Sequence, residues 1–597
     1  MRKEVVTNLI KKTPGISYNE IVRETGLSNG VISHYLIKLM ESGEVEKEGI
    51  KRGKYFLKNI PKKDRKMITL LRNNTNNDIF KLLIKNFNNN IISTQNEISK
   101  RVNKSASTIS VSLKDLQRNN IIERVIMNQA PDVRYAQLFL DDAVIEQTVR
   151  LQRVIHQPHK YHTNPVYTVG TPWEGNGVVY LAGVYIDPVD QLWKAWYTSL
   201  YPSAYPDITY AICMIMSQDG IHWERPELDL YHGHHGEKTN IVLDLGQVGG
   251  TGAASILYEP ENPSHPWTLI ISSCLYGTWE YKAYILRSAD GIHWLWEHQM
   301  PNGVVHGMGD RCTAMKGPDP QYPYVLMSRG LADMSRWGLV RAAHRLAINT
   351  DQADGEPRRI LYPDLEDDPA GQIYHAHGFP YQDIYIGLFQ WFWETEDPYG
   401  EMELMMSRDT VTWNRIRPRQ PFLPRSTGGG REGQFDCQVT DTALSPPVRT
   451  SQGDRETLWF YYWGGPAMHG NRHLTFGRGI GLAQLRADGF CSLRAQRFPA
   501  TLVTRPFIWP GGKLLINASV LGGAGNGGLQ TEVLAEDLKP VEGLGREQAD
   551  TIRGDGVHLE QSWQKEATIQ KLQGRRIRLK FYMDHVDLFS FQSSESP

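Results

Sequence analysis

The sequence predicts a multidomain chain, α+β over its first quarter and all-β beyond it. Three observations carry that prediction: a break in composition and charge near residue 142, two successive helix–turn–helix patterns before it, and a repeated Ser-x-Asp-Gly-x-x-Trp pattern after it. At about 100 to 200 residues per domain, 597 residues leave room for three to five domains. A charged fraction of 22% beside 40% hydrophobic residues excludes a disordered, collagenous or coiled-coil protein.

Residues 1–142 carry 25 Lys and Arg against 15 Asp and Glu, a net charge of +10, whereas the remainder carries −11. All 16 tryptophans follow residue 142, so two units of different composition join near Asp141-Asp142. A basic small unit on an acidic large one implies a polyanionic partner for the first and another ligand for the second. The chain shows no apolar run of 18 residues and no signal-like start, so a cytoplasmic protein without a membrane partner is expected. Cys213, Cys274, Cys312, Cys437 and Cys491 are odd in number and widely spaced, which encodes neither a disulfide framework nor a zinc ribbon.

In the basic unit, Val5, Val6, Leu9 and Ile10 share one helical face, ended by Thr13-Pro14-Gly15. Ser17 and Glu20 form a capping box for a second helix, which Thr25-Gly26 closes. Ser28 then opens a third helix with Ile32, Tyr35, Leu36 and Leu39 inward and Asn29, Ser33, His34 and Lys38 outward. Residues 45–56 read as two short strands around a basic glycine turn, which sets Lys51, Arg52 and Lys54 against phosphates. The same order recurs: a helix at 79–87, the capping pair Thr94 and Glu97, a helix with Ser107, Thr108 and Lys114 outside, and strands at 122–126 and 134–139. Two winged helix-turn-helix units are therefore expected, at 1–60 and 61–142, with residues 143–160 as a linker.

The segments Pro14-Gly15-Ile16-Ser17-x-x-Glu20-Ile21 and Gly26-Leu27-Ser28-x-Gly30-x-x-Ser33-His34-Tyr35-Leu36 resemble the tandem winged-helix DNA-binding regulators of archaeal type. The resemblance implies double-stranded DNA as a partner and transcription regulation as a role. A protein–protein module with a merely solvated basic face is the alternative, and self-association into a homodimer is kept open.

Beyond residue 160 the apolar period becomes 2, as at 178–186, 192–199 and 208–217. Ser217-Gln218-Asp219-Gly220-Ile221-His222-Trp223 recurs at 288–294 and 407–413, with worn copies at 348–351 and 485–490. The markers Asp219, Asp290, Asp351, Asp409 and Asp488 are 58 to 79 residues apart, and an aromatic or apolar strand accompanies each. Five such units predict a five-bladed β-propeller over 161–499, and the strands that continue from 500 to 597 predict a β-sandwich. The repeated aspartates are expected to shape hairpin turns.

Pro172-Trp173-Glu174, the Ser-x-Asp-Gly-Ile-His-Trp repeat, Arg419-Gln420-Pro421-Phe422-Leu423-Pro424 and Gly574-Arg575-Arg576-x-Arg578-Leu579-x-Phe581 resemble furanosidase-type glycoside hydrolases of families 32 and 43. That resemblance implies a hydrolase acting on a furanoside or related glycan, with acidic residues on the innermost strand of several blades. The segments expected there are 173–176, 249–252, 307–311, 374–378 and 431–436. They nominate Glu174 as base or nucleophile, Asp310 as an orienting acid, and Glu432 or Asp436 as the proton donor, with Trp173, Arg311, His375 and His377 around the sugar. The family 32 signatures Asn-Asp-Pro-Asn-Gly, Arg-Asp-Pro and Glu-Cys do not occur in the chain. No motif requires a cofactor, and His375-x-His377 lacks a third metal ligand. Two other readings stand beside the enzyme: a regulator whose propeller is a non-catalytic sugar sensor, and an artificial join of two unrelated proteins.

Overall fold

The computed structural model describes residues 2–49 and 53–60, scattered positions between 65 and 112, and residues 131–595 apart from 176, 202–208, 234, 246–252, 276–279, 300–308, 310, 335–337, 396–397, 427–434, 454, 467–477, 497, 522–526 and 565–566. The chain divides into two compact units, Met1–Gln129 and Ala130–Pro597.

In the first unit, helices Arg2–Lys12, Tyr18–Thr25 and Asn29–Glu41 are followed by strands Val45–Glu48 and Lys54–Leu57. A two-residue strand, Ile16–Ser17, pairs with the latter to make a three-stranded sheet. Val6, Ile10, Ile21, Ile32, Leu36 and Leu39 form the core, while Val5 stays 45% exposed. Ser17 and Glu20 cap each other as expected, and Gly26 ends its helix at φ 64°, in the left-handed region glycine adopts without strain. Ser28 occupies the N-cap position of the third helix without a side-chain cap bond. Lys51, Arg52, Ser107, Thr108, Lys114, the Thr94 and Glu97 pair and residues 122–126 lie outside the described residues, so the second winged helix is not among the structural findings.

The second unit is almost entirely antiparallel β-structure. Three four-stranded sheets come first, led by strands Val178–Ile186, Ala254–Tyr258 and Cys312–Lys316. An eleven-stranded sheet follows, in two parts joined by a single parallel pair, Gly400 with Val439; the part that begins with Gly371–Tyr381 is termed the fourth sheet and the part that begins with Val439–Thr442 the fifth. The fifth sheet contains Arg455–Gly465 and Gly479–Arg486, and its edge is supplied by His159–Lys160 and Tyr167–Thr168, from before the first sheet. Apolar cores lie between successive sheets, and one built from Val178, Tyr197, Tyr461 and Ile480 joins the fifth sheet back to the first.

Three of the five expected turns are built the same way, while at 349–352 the side chain that accepts the turn amides is Asn349 in place of Asp351. Ser217 Oγ accepts from the amides of Asp219 and Gly220, and Asp219 Oδ1 accepts from those of Ile221 and His222, both at 2.8 Å. Ser288 with Asp290 and Ser407 with Asp409 repeat this pattern. Gly220 and Gly291 have φ of 76° and 77°, and a Cβ on either would meet Tyr461 or Trp196 at 2.6 Å, so packing demands glycine at both, whereas Thr410 adopts φ 62° at the matching position of the third turn. Those rings donate to the turn carbonyls at 2.7 and 2.8 Å, which seats each turn on the neighbouring sheet. Asp488 differs: it accepts from Tyr381 Oη at 2.6 Å instead of shaping a hairpin tip.

Two further sheets, of six and five strands, share one core around Phe507, Trp509, Phe581, Leu588 and Phe591. Their strands correct the expected boundaries. Ile145–Val149 pairs with Ala500–Thr504 and Gln152–Ile155 with Cys491–Ala495, so most of residues 143–160 is sheet, not linker. Gln137–Leu138 pairs with Val586–Ser593, so residues 134–139 are not a wing. Backbone hydrogen bonding, which composition does not register, places these residues with the second unit. Among the described residues, no helix is long and apolar enough to cross a membrane.

The first strands of the sheets begin later than expected in four of five cases. Glu174 and Asp436 precede Val178–Ile186 and Val439–Thr442 instead of lying in them; only segment 374–378 falls inside its strand. Position 174 belongs to a single 3-10 turn, Pro172–Glu174, started by Pro172 and ended by Gly175 at φ 56°.

Candidate functional site

On the third helix of the first unit, Asn29, His34 and Lys38 are exposed, as a surface that reads DNA requires. Ser33 is half-buried, within 2.9 Å of Tyr18 Oη, whose hydroxyl also donates to the Asn29 carbonyl at 2.7 Å. Lys54 lies 3.5 Å from Glu20. Partial burial opposes ionisation of Glu20, yet hydrogen bonds from Ser17 and Arg72 bring its carboxyl down to about 2, so Lys54 faces a fixed anion.

In the second unit, Glu174 is fully buried. Its oxygens accept from Tyr167 and Tyr197 hydroxyls, from Thr171 Oγ1 at 2.7 Å, from the amides of Gly170 and Thr171, and from Arg225 Nε at 3.0 Å. Burial raises this carboxyl, but the hydrogen bonds outweigh it and hold the group ionised. Every lone pair has a donor, so the carboxylate is built into its surroundings. Trp173 donates Nε1 to Asn240 Oδ1 at 2.8 Å. Asp436 accepts from Lys160 Nζ at 2.6 Å and Tyr462 Oη at 2.9 Å, tying the entry to Val439–Thr442 to the edge strand His159–Lys160. Asp310 and Glu432 lie outside the described residues.

Another centre forms where the first strands meet. Asp441 is 1% exposed, and its Oδ2 lies 2.5 Å from Arg311 Nη2. Arg311 also reaches Gln390 Oε1 at 3.3 Å, and its guanidinium lies 4.4 and 5.1 Å from the ring centroids of Tyr180 and Tyr374. His375 Nε2 sits 2.9 Å from Asp441 Oδ1, off the line of a hydrogen bond. His377 Nε2 is 2.7 Å from Thr442 Oγ1, and its ring stacks on His375 at 6.3 Å. The first, third, fourth and fifth sheets thus contribute to one buried polar cluster.

Its charges are set by contact. Full burial opposes the Asp441 carboxylate, but contact with the His375 ring and the charge of Arg311 hold it well below the usual range. Burial, reinforced by Arg311, pushes His375 down; burial and then His375 bring His377 down to about 3, so the imidazoles are neutral. A permanently ionised Asp441 cannot donate a proton; it balances the guanidinium and fixes it between two tyrosines. Among the described residues, no group of three or more His, Cys, Asp or Glu side chains is arranged to hold a metal ion. Sequence reasoning found Arg311, His375 and His377 but missed Asp441, whose signal was an acid inside the run Val439-Thr440-Asp441-Thr442, buried throughout.

Residues 8–46 match the winged helix-turn-helix DNA-binding family, so the N-terminus carries a winged helix-turn-helix DNA-binding domain. No curated protein matches the chain by sequence. Among solved structures, the chain is similar to a β-1,2-mannobiose phosphorylase from Listeria innocua, at 12% identity and a TM-score of 0.37, covering 55% of this chain and 96% of that one. It is also similar to a glycosyl hydrolase from Bacteroides ovatus, at 11% identity, TM-score 0.36, and coverage of 56% and 94%. An α-L-arabinofuranosidase from Podospora anserina aligns at 12% identity, TM-score 0.35, and coverage of 55% and 97%.

Proposed function

We propose that the chain is a carbohydrate-responsive DNA-binding protein: a winged-helix head that binds duplex DNA, joined to a five-bladed β-propeller and β-sandwich that recognise a glycan. The observation that carries this reading is the cluster at the convergence of the first strands, where Tyr180, Arg311, Tyr374, His375 and Asp441 gather from four sheets. Propellers bind ligands at this convergence, and flat aromatic faces beside fixed hydrogen-bonding groups suit sugars. The cyclic succession of cores supports five blades, with His159–Lys160 and Tyr167–Thr168 closing the ring. In this reading Glu174 is a scaffold carboxylate, not a nucleophile, because its oxygens are fully engaged.

A glycoside hydrolase is the second reading, favoured by one observation. Burial raises the Glu401 carboxyl, and Glu401 feels the same Lys160 that pairs with Asp436. Glu401 also accepts from the Arg425 amide at 3.0 Å, and a carboxyl raised by burial that shares Lys160 with an ion-paired one matches the division of labour glycosidic cleavage uses. Here Glu401 is the acid and Asp436 the base.

The test combines a glycan array, DNA retardation with and without the bound glycan, and a hydrolysis screen on furanosides. Glycan binding that shifts DNA affinity supports the regulator. Turnover lost in Glu401→Gln supports the hydrolase, and absence of both glycan binding and turnover overturns the carbohydrate reading.

A further inference from the structure

Arg478 stands immediately before the strand Gly479–Arg486, beside the cluster. Its neighbour Gly479 pairs with Gly464, and the adjoining Trp463 pairs directly with Asp441, so Arg478 and the ion pair share one end of the fifth sheet. The Arg478 guanidinium lies 5.5 Å from the Trp463 ring centroid. Its Nε is buried without a hydrogen-bond partner, as are Trp463 Nε1 and Arg311 Nε.

Elsewhere in this unit, arginines of comparable burial are matched by acids. Arg345 pairs with Asp354, Arg415 with Asp367 and Glu403, Arg494 with Asp587, and Arg225 with Glu174. Among the described residues, no carboxylate pairs with Arg478. Burial instead makes its guanidinium less basic than usual, and repulsion from Arg311 adds to this, against the attraction of Tyr180 and Tyr210. A partly buried cation beside another cation is unfavourable unless an anion compensates. Stacking on Trp463 offsets part of that cost and leaves the buried Nε of Arg478 unbonded.

We infer that Arg478, with the N–H groups of Trp463 and Arg311 behind it, forms an anion subsite, so that the glycan recognised by this unit carries an acidic group, a carboxylate or a phosphate. The inference rests on the carbohydrate reading for its ligand, while the anion subsite is testable without a sugar. Arg478 positions and selects the ligand and has no part in bond cleavage.

The experiment uses the full chain and the variants Arg478→Gln and Arg478→Lys. First, thermal stability is compared in phosphate and in chloride at equal ionic strength. Specific stabilisation by phosphate in the wild type, lost in Arg478→Gln and partly kept in Arg478→Lys, is expected. Equal melting in both salts, or an Arg478→Gln protein that unfolds well below the wild type in chloride, would make Arg478 structural and overturn the subsite. Second, calorimetry compares oligogalacturonate, a sugar phosphate and a neutral galacto-oligosaccharide. The acidic ligand should bind about tenfold or more tighter than the neutral one, a preference abolished by Arg478→Gln, in keeping with a charge-assisted hydrogen bond. Preference for oligogalacturonate or for the sugar phosphate identifies the acidic group. Equal binding of neutral and acidic sugars sinks the inference and leaves the carbohydrate reading standing. Phosphate-specific stabilisation with no sugar bound overturns the carbohydrate reading and leaves the subsite standing.

Discussion

Asp441 Oδ2 lies 2.5 Å from Arg311 Nη2, and with side chains 1% and 4% exposed the two form a fully buried ion pair across the third and fifth sheets. Such a pair fixes geometry more than it adds stability, because desolvation of both charges offsets their attraction. Removing one partner is a different matter.

Asp441→Asn should therefore lower stability by about 3 to 5 kcal/mol, since Arg311 keeps its charge and loses its counter-ion. Replacing both residues with apolar side chains of similar volume should cost less than the single change. Urea unfolding of the three proteins checks the order; a single variant as stable as the wild type would contradict the ion-pair account.

Stability should fall on acidification through the imidazole range. His377 is brought down to about 3 in the folded protein by burial and by His375, well below the unfolded value of about 6.5. Between those two values the unfolded chain binds more protons than the folded one, so stability is present above about pH 6.5 and is lost as the pH falls. Asp441, also held low, acts in the same direction at lower pH. His377→Gln should flatten the dependence of the urea midpoint on pH between about 7 and 5.

Glu174→Gln should act on folding. The variant leaves Arg225 facing a neutral amide and puts an NH2 group where hydroxyls and amides now donate, at a cost of about 2 to 4 kcal/mol. Thermal melting measures the loss. A variant that melts with the wild type but loses a glycosidase activity would restore Glu174 as a nucleophile.

In the head, Lys38→Ala should weaken DNA binding across all sequences and reduce the salt slope by about 1, the signature of one lost phosphate contact. Lys54→Ala should have a smaller effect, because Lys54 faces the ionised Glu20. Retardation assays over a range of salt concentrations separate the two.

Local patterns in the chain were legible because they encode local structure. The Ser17 and Glu20 capping box, the strand at 178–186 and the Ser-Asp-Gly turns all appear as expected, since each is satisfied by hydrogen bonds or side-chain alternation within a few residues. The expected acids were placed a few residues too early. Position 174 reads as the start of a strand only if the single turn begun by Pro172 and ended by Gly175 is overlooked.

The sequence by itself determined the first winged helix, the period-2 character of the rest and three of the five expected turns, those at Asp219, Asp290 and Asp409. Only the tertiary structure decided that residues 137–155 complete the C-terminal sheets, that 159–168 supplies the edge of the fifth sheet, and that Glu174 is saturated by Tyr167, Tyr197 and Arg225 while Asp441 meets Arg311 and His375. The physical reason is separation along the chain. Strand pairing between residues hundreds of positions apart leaves no periodic trace, and a carboxylate's role depends on which distant donors reach its oxygens once the sheets have packed.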